Sequence, residues 1–535
     1  MIRGSRNNLI AFWLPAILSG LMLTAAFPNI GFSGTAWIAL LPLLWVVNRR
    51  KPSTAFRAGF IAGLAHYLTL MYWLVYTMHT YGGLPWLLSF PVLFLLASYL
   101  ALYTAVFSAG VSVLCTTAMR RMFWPPVLWV ALEYTRSFLM SGMPWELLGY
   151  SQYRRIHLIQ IADISGVYGV SFLIVLVNST LFVCLDFLNT RRLDRQNRIP
   201  FSASACALLI CIAAFAGTWA YGARQIRTMD QKISVAPVSR VSVIQANVDQ
   251  SIKWDPAFQR STTETYITLS KQAKSEHPDL IVWPETATPF YLQQDIGLTA
   301  KIRNAVQSTG ASFLIGSPSF MQRQDLVEYF NSAYLVSSNG MIREKYDKSH
   351  LVPFGEYVPC KKLLPFVDKM VAGIGDFTPG PQGCTLSWES MKLGVQICFE
   401  IIFPDLSRKA VKNGAQMLIN ITNDAWFGKS AAPYQHFSMA VFRAVENKRC
   451  LVRSANTGIS GLIDPIGRIV TATPIFRKDI ATFNVSKLHD RTIYTVYGDG
   501  FAIFCLTVAG IAGIWYGVIL NFFGRHTRHT NSSDV

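Results

Sequence analysis

The chain has 535 residues, of which 51% are hydrophobic and only 15% are charged, and its formal net charge is +18. This low charged fraction excludes an ordinary soluble protein, in which about 25% of residues are charged, and the length is sufficient for several domains. The basic residues cluster in short segments between apolar runs, where membrane topology places them. We therefore do not expect nucleic acid as a partner.

Long apolar runs fill about the first 225 residues and return close to the C-terminus. A membrane-spanning helix needs about 20 predominantly apolar residues. We therefore predict spanning helices at 8–27, 34–49, 57–79, 86–118, 122–140, 166–187, 203–221 and 500–523. The second segment is short and the fourth is long, which allows a tilted or re-entrant piece there. Because other apolar runs follow closely, the first segment is expected to be a retained anchor rather than a cleaved signal peptide.

The apolar runs divide the chain into four predicted parts. These are a transmembrane domain of about seven helices at 1–225, a polar domain at 230–490, a spanning helix at 500–523 and a tail at 524–535. Basic residues fill alternate loops, whereas the short loops 29–34 and 80–85 contain no Lys or Arg. By the positive-inside rule, both termini are predicted to be cytoplasmic and the polar domain lies on the opposite face of the membrane.

The polar segment 230–490 alternates short apolar runs with helical stretches. Predicted strands cover 241–246, 280–283, 313–316, 333–336, 393–397, 417–421, 451–454 and 461–464. Predicted helices cover 259–275, 296–309, 403–413 and 436–447. Continuous apolar strands of this kind are typical of sheets that are buried on both faces, so the pattern predicts a layered α/β domain.

The cysteines and glycines indicate no cofactor. The nine cysteines contain no C-x-x-C pair, which leaves a zinc or thioredoxin-like site without support. Gly373-x-Gly375 is not followed by the rest of a phosphate-binding loop. We therefore expect no metal and no nucleotide. Cys360 and Cys384 can pair in an oxidising location, whereas Cys398 is expected to stay reduced.

Three residues with complementary chemistry follow one another along the polar segment. Glu285 ends the run VWPE at 282–285, Lys348 opens the run KSHLVPFGE at 348–356, and Cys398 ends an apolar strand within VQICFE at 395–400. A thiol attacks a carbonyl only as the thiolate, so a base must take its proton. A buried Glu285 fits that base, and Lys348 fits the group that stabilises the oxyanion and favours the thiolate.

The position of Cys398 strengthens this hypothesis. The residues Phe403-Pro404-Asp405 have the pattern of a helix start, so Cys398 is predicted to lie where a strand turns into a helix. A nucleophile on such a turn is exposed at the sheet edge, beside backbone N–H groups that can bind an oxyanion. Separately, the three residues would be a small core residue, a turn residue and a surface charge. Together and in this order they favour catalysis.

The Trp-Pro-Glu turn, the Lys-x-His-Leu turn and the strand-ending Cys398 resemble the Glu–Lys–Cys triad of the nitrilase (carbon–nitrogen hydrolase) superfamily. This resemblance implies an αββα sandwich, a nitrilase-like α/β domain, beside the multi-pass α-helical membrane domain. A narrower resemblance, to the apolipoprotein N-acyltransferase family of bacteria, covers essentially the whole chain. It is carried by GMPW at 142–145, LGYSQ at 148–152, QAN at 245–247, WDP at 254–256, HLVPFGEYVP at 350–359, NDAWFG at 423–428, QHF at 435–437 and SANTG at 454–458.

The narrower resemblance implies a mechanism and a location. Cys398 would take an acyl chain from a phospholipid, with phosphatidylethanolamine as the expected donor, and hold it as a thioester. The α-amine of an N-terminal diacylglyceryl-cysteine of an apolipoprotein would then attack and form an amide. Glu285 would move the proton, and Lys348 would face the oxyanion together with the backbone N–H of Phe399. The location implied is the bacterial cytoplasmic (inner) membrane, with the catalytic domain on the periplasmic side.

Other residues receive supporting roles from the same resemblance. Glu356, Glu400 and Trp254 match positions that the family needs. Position 399 is Phe where many relatives have Tyr, so a role for a phenol is in doubt here.

Several residues beside the triad have both a structural and a functional interpretation. Asn423 follows a predicted strand and is expected to border the pocket, whereas Trp426 and Phe427 either line an acyl groove or pack in the core. His350 is expected to pack or to form hydrogen bonds rather than to act as a base. Arg443 and Glu446, three residues apart on a predicted helix, favour a structural ion pair.

An apolar, glycine-containing loop at 363–375 follows the Lys348 run, with Lys361, Lys362 and Lys369 beside it. This loop either dips into the membrane as a gate for acyl chains or packs on the core. The lysines suit phosphate headgroups or are solvated surface charges.

Two other classes of protein stay open. A membrane-tethered amidase would use the same triad with water as the acceptor, although a soluble amide substrate needs no such anchoring. A transporter or scaffold with an inert polar domain is disfavoured by the complete triad.

Overall fold

The computed structural model describes residues 2–193, 199–323, 326–359 and 376–530. In three helices the side chains are described over only part of the helix. They are described from residue 13 in the first helix, up to residue 189 in the helix that ends at 193, and up to residue 516 in the last helix. The predicted gate loop at 363–375, its lysines and Cys360 lie outside the described residues. The predicted pairing of Cys360 with Cys384 therefore stays a prediction.

The first part of the chain is helical. Its α-helices are α1 (Ile2–Ala25), α2 (Leu41–Val47), α3 (Pro52–Leu70), α4 (Trp73–Thr80), α5 (Trp86–Leu114), α6 (Ala118–Arg136), α7 (Ile156–Ile159), α8 (Ala162–Ser165), α9 (Val167–Leu193) and α10 (Phe201–Val235). Short 3-10 turns lie at Ser33–Trp37, Leu139–Ser141 and Leu148–Gln152.

Several of these helices are long and apolar enough to cross a membrane. Within the described part of the chain they are α5, residues Val167–Asn189 of α9, and α10, and the pair α3 and α4, bent by 54°, would add a fourth. The second predicted span differs, because 34–49 contains a 3-10 turn and then the seven-residue α2. Seven helical residues cover only about 10 Å. The crossing by all eight predicted segments stays a prediction.

The second part of the chain contains twelve described strands in two sheets. The strands are β1 (Val238–Gln245), β2 (Leu280–Val282), β3 (Ser312–Arg323), β4 (Leu326–Val336), β5 (Ile342–Asp347), β6 (Leu386–Trp388), β7 (Met391–Ile397), β8 (Met417–Thr422), β9 (Leu451–Ala455), β10 (Gly461–Ile463), β11 (Ile469–Ala472) and β12 (Asp479–Ser486). One sheet has the order β12-β1-β2-β3-β4-β5, and the other has the order β11-β10-β9-β8-β7-β6. In the centre of each sheet three strands are parallel, β1–β2–β3 and β7–β8–β9.

Helices cover the outer faces of both sheets. They are α11 (Pro256–Ala273), α12 (Ile296–Thr309), α13 (Pro404–Lys412), α14 (Ala432–Asn447) and α15 (Ile493–Tyr497), and α16 (Gly500–Thr530) follows them. Asp255 and Asp295 cap α11 and α12, because their side chains accept hydrogen bonds from the first-turn N–H groups of Ala257 and Leu298.

Three hydrophobic clusters form the core of this domain, one between the two sheets and one on the outer face of each sheet. Apolar side chains from the two sheets, among them Val243, Leu280, Leu393 and Ile419, meet in one buried cluster. Residues of α11 and α12 form a second cluster on the outer face of the first sheet. The order helix, sheet, sheet, helix confirms the predicted αββα sandwich.

The outer face of the second sheet continues into the helical domain. Ala440 and Phe442 of α14 belong to the same buried cluster as Trp145 and Tyr150 of the helical domain. The predicted ion pair on α14 is present, since Arg443 Nη2 lies 2.7 Å from Glu446 Oε1 and both side chains are fully buried. Arg443 also donates to Tyr150 Oη at 3.0 Å. On this side, the described residues of the α/β domain therefore pack directly on the helical domain.

Candidate active site

Cys398 lies where β7 ends and the 3-10 turn Cys398–Ile402 begins, ahead of α13. Its φ is +53°, a left-handed conformation that is rare for residues other than glycine. Only 8% of the residue is exposed. The predicted strand-to-helix turn is therefore present, and its backbone is held in an unfavourable conformation of the kind that concentrates at active sites.

Glu285 reaches the same place from the other sheet. It follows β2 by three residues, and 6% of it is exposed. Its Oε1 accepts from Asn331 Nδ2 at 2.8 Å, and its Oε2 accepts from the backbone N–H of Asn423 at 2.9 Å. β2 and β8 belong to different sheets, and the hydrogen bond from Asn423 to Glu285 brings their carboxyl ends together at one edge of the sandwich. Two donors therefore fix both oxygens of the Glu285 carboxylate.

Lys348 follows β5 directly and is 1% exposed. Its Nζ lies 2.9 Å from the Glu356 carboxylate and 3.8 Å from Glu285 Oε1. Asn331 Nδ2 bridges the two carboxylates, at 2.8 Å from Glu285 Oε1 and 3.0 Å from Glu356 Oε1. Glu356 is therefore the ion-pair partner of Lys348, and the ammonium group is held beside Glu285.

Burial and the charges of neighbouring residues together determine the protonation of the three residues. Burial raises the pKa of Glu285, although the charge of Lys348 acts against it. Burial also raises the pKa of the Cys398 thiol, and the nearby Glu285 adds to that increase. For Lys348 burial acts to lower the pKa, but Glu356 and Glu285 outweigh it and raise the pKa. The resting site therefore favours a neutral Cys398 thiol, a Glu285 carboxyl group of increased proton affinity and a charged Lys348 ammonium group.

Two residues that the sequence did not predict join this site. Lys253, in the loop before α11, is 1% exposed and donates from Nζ to the backbone carbonyl of Glu285 at 3.1 Å. Burial lowers the pKa of Lys253 to about 8, while Glu285 and Cys398 act to raise it. Asn331 lies within β4 and bridges the two carboxylates. The neighbouring Trp254 motif was the only signal for Lys253, and a polar residue in β4 gave no signal for Asn331.

Glu400 connects the Lys348 loop to the nucleophile turn. Its Oε1 accepts from the backbone N–H groups of Ser349 and His350 at 2.7 and 3.1 Å, and its Oε2 accepts from the N–H of Ile397 at 2.7 Å. It is completely buried. Its position in the structure is that of a brace between two loops.

The remaining predicted residues lie around this centre. Asn423 contributes its backbone N–H to Glu285, while its side chain binds Gln250 and Asn456 at 2.6 and 3.1 Å. Trp254 is half-buried, and its indole N–H is buried without a hydrogen-bond partner among the described residues. The prediction that Asn423 borders the site agrees with its position.

The aromatic residues lie against the helical domain. Trp426 packs edge-on against Tyr81 at 5.0 Å, and Phe427 packs against Trp73 at 4.8 Å. These contacts place both rings against the helical domain, and the two predicted alternatives, an acyl groove or core packing, both stay predictions.

Phe399 and His350 both face an aromatic cluster. Phe399 packs against Phe403 at 5.3 Å, and His350 lies 3.8 Å from the Phe403 ring. Burial, with a smaller effect of Lys348, lowers the pKa of His350 to about 4. A neutral imidazole packed on a phenyl ring agrees with the predicted packing role.

The sequence comparisons match the chain over nearly its whole length. Residues 19–180 match the model of the apolipoprotein N-acyltransferase N-terminal domain, and residues 240–491 match the model of carbon-nitrogen hydrolase. The apolipoprotein N-acyltransferase of Geobacter metallireducens is 46% identical over 93% of this chain and 94% of its own. This chain belongs to the apolipoprotein N-acyltransferase family. It is therefore an acyltransferase, as the resemblance of its motifs predicted.

A second relative agrees with this assignment. The apolipoprotein N-acyltransferase of Methylococcus capsulatus is 34% identical over 97% of both chains. Among solved structures, an amidase of the nitrilase superfamily from Nesterenkonia AN1 matches 48% of this chain and 94% of its own, at 18% identity and a TM-score of 0.36.

Proposed function

We propose that this protein moves an acyl chain from a phospholipid to the α-amine of the N-terminal diacylglyceryl-cysteine of an apolipoprotein, through a thioester on Cys398. The observation that carries the proposal is the convergence of Glu285, Lys348 and Cys398 in one buried site that adjoins an apolar helical domain. Membership of the family supports both the lipid donor and the lipoprotein acceptor.

The first step forms the acyl-enzyme. Glu285 takes the thiol proton of Cys398, and the thiolate attacks the carbonyl carbon of the phospholipid ester. Lys348 Nζ and the backbone N–H of Phe399 stabilise the oxyanion of the tetrahedral intermediate. The ester C–O bond then breaks, and the leaving alkoxide takes the proton from Glu285, which releases a lysophospholipid. Glu356 keeps Lys348 charged and in place.

The second step uses the same groups in reverse. The α-amine of the acceptor attacks the thioester carbonyl and loses a proton to Glu285. The C–S bond breaks, the amide forms, and the Cys398 sulfur recovers a proton from Glu285. Exclusion of water protects the thioester between the two steps. Since the donor ester is activated enough for thiolate attack, the reaction needs no cofactor.

The finer features of donor and location are part of the same proposal. Phosphatidylethanolamine is the proposed donor. The protein is proposed to lie in the bacterial cytoplasmic membrane, with both termini cytoplasmic and the catalytic domain periplasmic. The distribution of Arg and Lys among the short loops supports this orientation. Supporting roles are proposed for Glu400 and Trp254, and Asn423, Trp426 and Phe427 are proposed to border the substrate path.

An acyl-enzyme on Cys398 is the decisive intermediate. Purified protein in detergent is incubated with phosphatidylethanolamine, and intact and peptide mass spectra are recorded. Cys398→Ala removes the nucleophile, and Cys450→Ala is the matched control, because Cys450 is another buried thiol of the same domain. We expect a hydroxylamine-labile acyl mass on Cys398 in the wild type and in Cys450→Ala only.

The fate of the adduct separates the alternatives. Discharge by a diacylglyceryl-cysteine peptide, with stability in buffer, supports acyl transfer. Rapid discharge to free fatty acid without a peptide would indicate a hydrolase. The absence of an adduct with any phospholipid in folded protein would contradict the proposed lipid donor.

A further inference from the structure

Gln435, at the start of α14, forms hydrogen bonds with the helical domain through both its amide oxygen and its amide nitrogen. Its Oε1 accepts from the indole N–H groups of Trp145 and Trp73 at 2.9 and 3.2 Å. Its Nε2 donates to the backbone carbonyls of Pro28 and Leu70 at 3.0 and 3.3 Å. A single buried side chain of the catalytic domain therefore satisfies four groups of the helical domain.

The next residue, His436, is bound to the nucleophile. Its Nε2 lies 3.2 Å from the backbone carbonyl oxygen of Cys398, and its ring stacks on Trp145 at 5.7 Å and 24°. On the other side, Nδ1 lies 3.0 Å from Arg453 Nη2 and 3.0 Å from Asp424 Oδ1. The imidazole is completely buried.

The surroundings of His436 place a proton on Nε2. Nε2 faces the backbone carbonyl oxygen of Cys398, which can only accept, so their contact is a hydrogen bond when Nε2 carries the proton. Asp424, beside Nδ1, also accepts from Arg453 at 2.9 Å and from the hydroxyl of Thr422 at 3.0 Å. Nε2–H then donates to the Cys398 carbonyl. Asn420 Nδ2 approaches the same carbonyl at 3.4 Å, and its own Oδ1 binds Arg453.

A hydrogen bond to this carbonyl has a consequence in the active site. The C=O of Cys398 and the N–H of Phe399 belong to one planar trans peptide, in which the two bonds point in opposite directions. A donor that holds the Cys398 oxygen from behind therefore aims the Phe399 N–H at the opposite side. That N–H is the proposed oxyanion donor, on a turn whose φ of +53° is intrinsically unfavourable.

We propose that Gln435 and His436 form a positioning device that ties the geometry of the Cys398 turn to the helical domain. Gln435 fixes the start of α14 against Trp73 and Trp145, and His436 holds the peptide between Cys398 and Phe399. The helical domain then contributes to catalysis in addition to contacting lipid, because it keeps the Phe399 N–H, the proposed oxyanion donor, in place. This inference rests on the proposed role of Cys398 as the nucleophile.

The test compares the wild type with three variants. His436→Phe keeps a ring against Trp145 but removes the donor, and His436→Gln restores an N–H at the position of Nε2. Trp145→Phe keeps a ring against His436 and removes the indole N–H that binds Gln435. Initial rates of acyl-adduct formation on Cys398 are measured against phosphatidylethanolamine concentration, in protein whose thermal unfolding shows that it is folded.

We expect His436→Phe to lower the rate at saturating donor by about 100-fold, the size of effect that small misplacements of reacting groups produce. His436→Gln is expected to recover most of that loss, and Trp145→Phe to lower the rate by about tenfold. The donor concentration for half-maximal rate should stay within about threefold of the wild type, since positioning acts on the chemical step.

Two results would overturn the inference. One is a folded His436→Phe variant that acylates within about threefold of the wild-type rate, and the other is a His436→Gln variant as slow as His436→Phe. If His436→Phe does not fold, His436→Leu, whose side chain is close in volume to imidazole, takes its place. An unacylated wild type would instead contradict the proposed function itself.

Discussion

Lys253 places a second ammonium group beside the catalytic residues. Its Nζ binds the backbone of Glu285, and its charge lies close enough to Glu285 and Cys398 to be affected by both. A buried lysine is rare unless it is paired, and this one has only a carbonyl oxygen as its hydrogen-bond partner among the described residues. We infer that its charge supports the ionised forms of Glu285 and Cys398 at a cost in stability.

Lys253→Met tests whether the charge of Lys253 favours catalysis and lowers stability. The variant loses the charge that favours the thiolate, so the rate of acyl-adduct formation is expected to fall by about tenfold, less than the effect of removing a direct oxyanion donor. At pH 7 the variant is expected to be at least as stable as the wild type, because a buried charge is removed. Thermal unfolding in detergent and mass spectrometry of the adduct measure the two effects.

The stability difference is expected to depend on pH. The pKa of Lys253 is lowered to about 8 in the folded protein, from an ordinary value of 10.5. Between these values the unfolded chain binds more protons than the folded chain, so wild-type stability rises with pH. The advantage of Lys253→Met should therefore shrink as the pH rises above about 8. A difference that is constant from pH 7 to about 10 would contradict the lowered pKa.

The catalytic residues differ in how far the sequence predicted them. Glu285 and Cys398 each follow a predicted strand, Lys348 opens a recognisable turn, and the three come in a fixed order along the chain. Asn331 lies inside β4, and Lys253 lies in a loop. Their roles depend on contacts between neighbouring strands and loops of the first sheet, which no spacing along the chain encodes.

At the scale of elements, Glu400 holds the ends of β5 and β7 together. Backbone N–H groups of Ser349, His350 and Ile397 all point at its carboxylate. These N–H groups can only donate, so both oxygens of the side chain must accept. The distance between Lys348 and Cys398 depends on this contact.

Glu400→Gln replaces one accepting oxygen with an NH₂ group that faces buried donors. Each buried polar group left unsatisfied costs about 1–3 kcal/mol, so we expect a loss of roughly 2–4 kcal/mol in unfolding free energy. Acyl-adduct formation should slow by at least tenfold, since the two loops separate. Glu389→Gln, an exposed residue of the same domain, is the control and should unfold and acylate like the wild type. If Glu400→Gln unfolded and acylated like Glu389→Gln, Glu400 would not be holding the two loops together.

The observed strands show which strands an apolar sequence pattern predicts and which it misses. All eight predicted strands are present, with boundaries that coincide with those observed or differ from them by up to seven residues. The four that were missed, β5, β6, β11 and β12, are the edge strands of the two sheets. Edge strands are short or carry polar side chains because one side is unpaired, so they lack the apolar run that predicts a central strand.

At the scale of the whole molecule, the two domains share one core. Almost every residue of α14 is buried, between the second sheet on one side and the helical domain on the other. Lys448, after α14, donates to Gln160 Oε1 at 2.6 Å and lies 3.4 Å from Asp163. Removal of the helical domain would expose both an apolar face and buried charges.

The segment 230–490 expressed alone is therefore expected to aggregate or to elute bound to detergent. Size-exclusion chromatography with and without detergent measures this, and the full-length protein in the same detergent is the control. A monodisperse monomer without detergent that unfolds cooperatively would show that the sandwich does not need the helical domain for its stability.

The sequence by itself determined the helical and α/β parts of the chain, the central strands and the candidate triad, because each depends on local patterns: long apolar runs, apolar strands and polar residues at strand ends or turns. Only the tertiary structure decided which groups surround the triad. The contacts of Lys253 with Glu285 and of His436 with Cys398 join residues 32 and 38 positions apart. Such contacts arise when loops, strands and helices that are distant in the sequence pack together, and packing is a property of the whole chain.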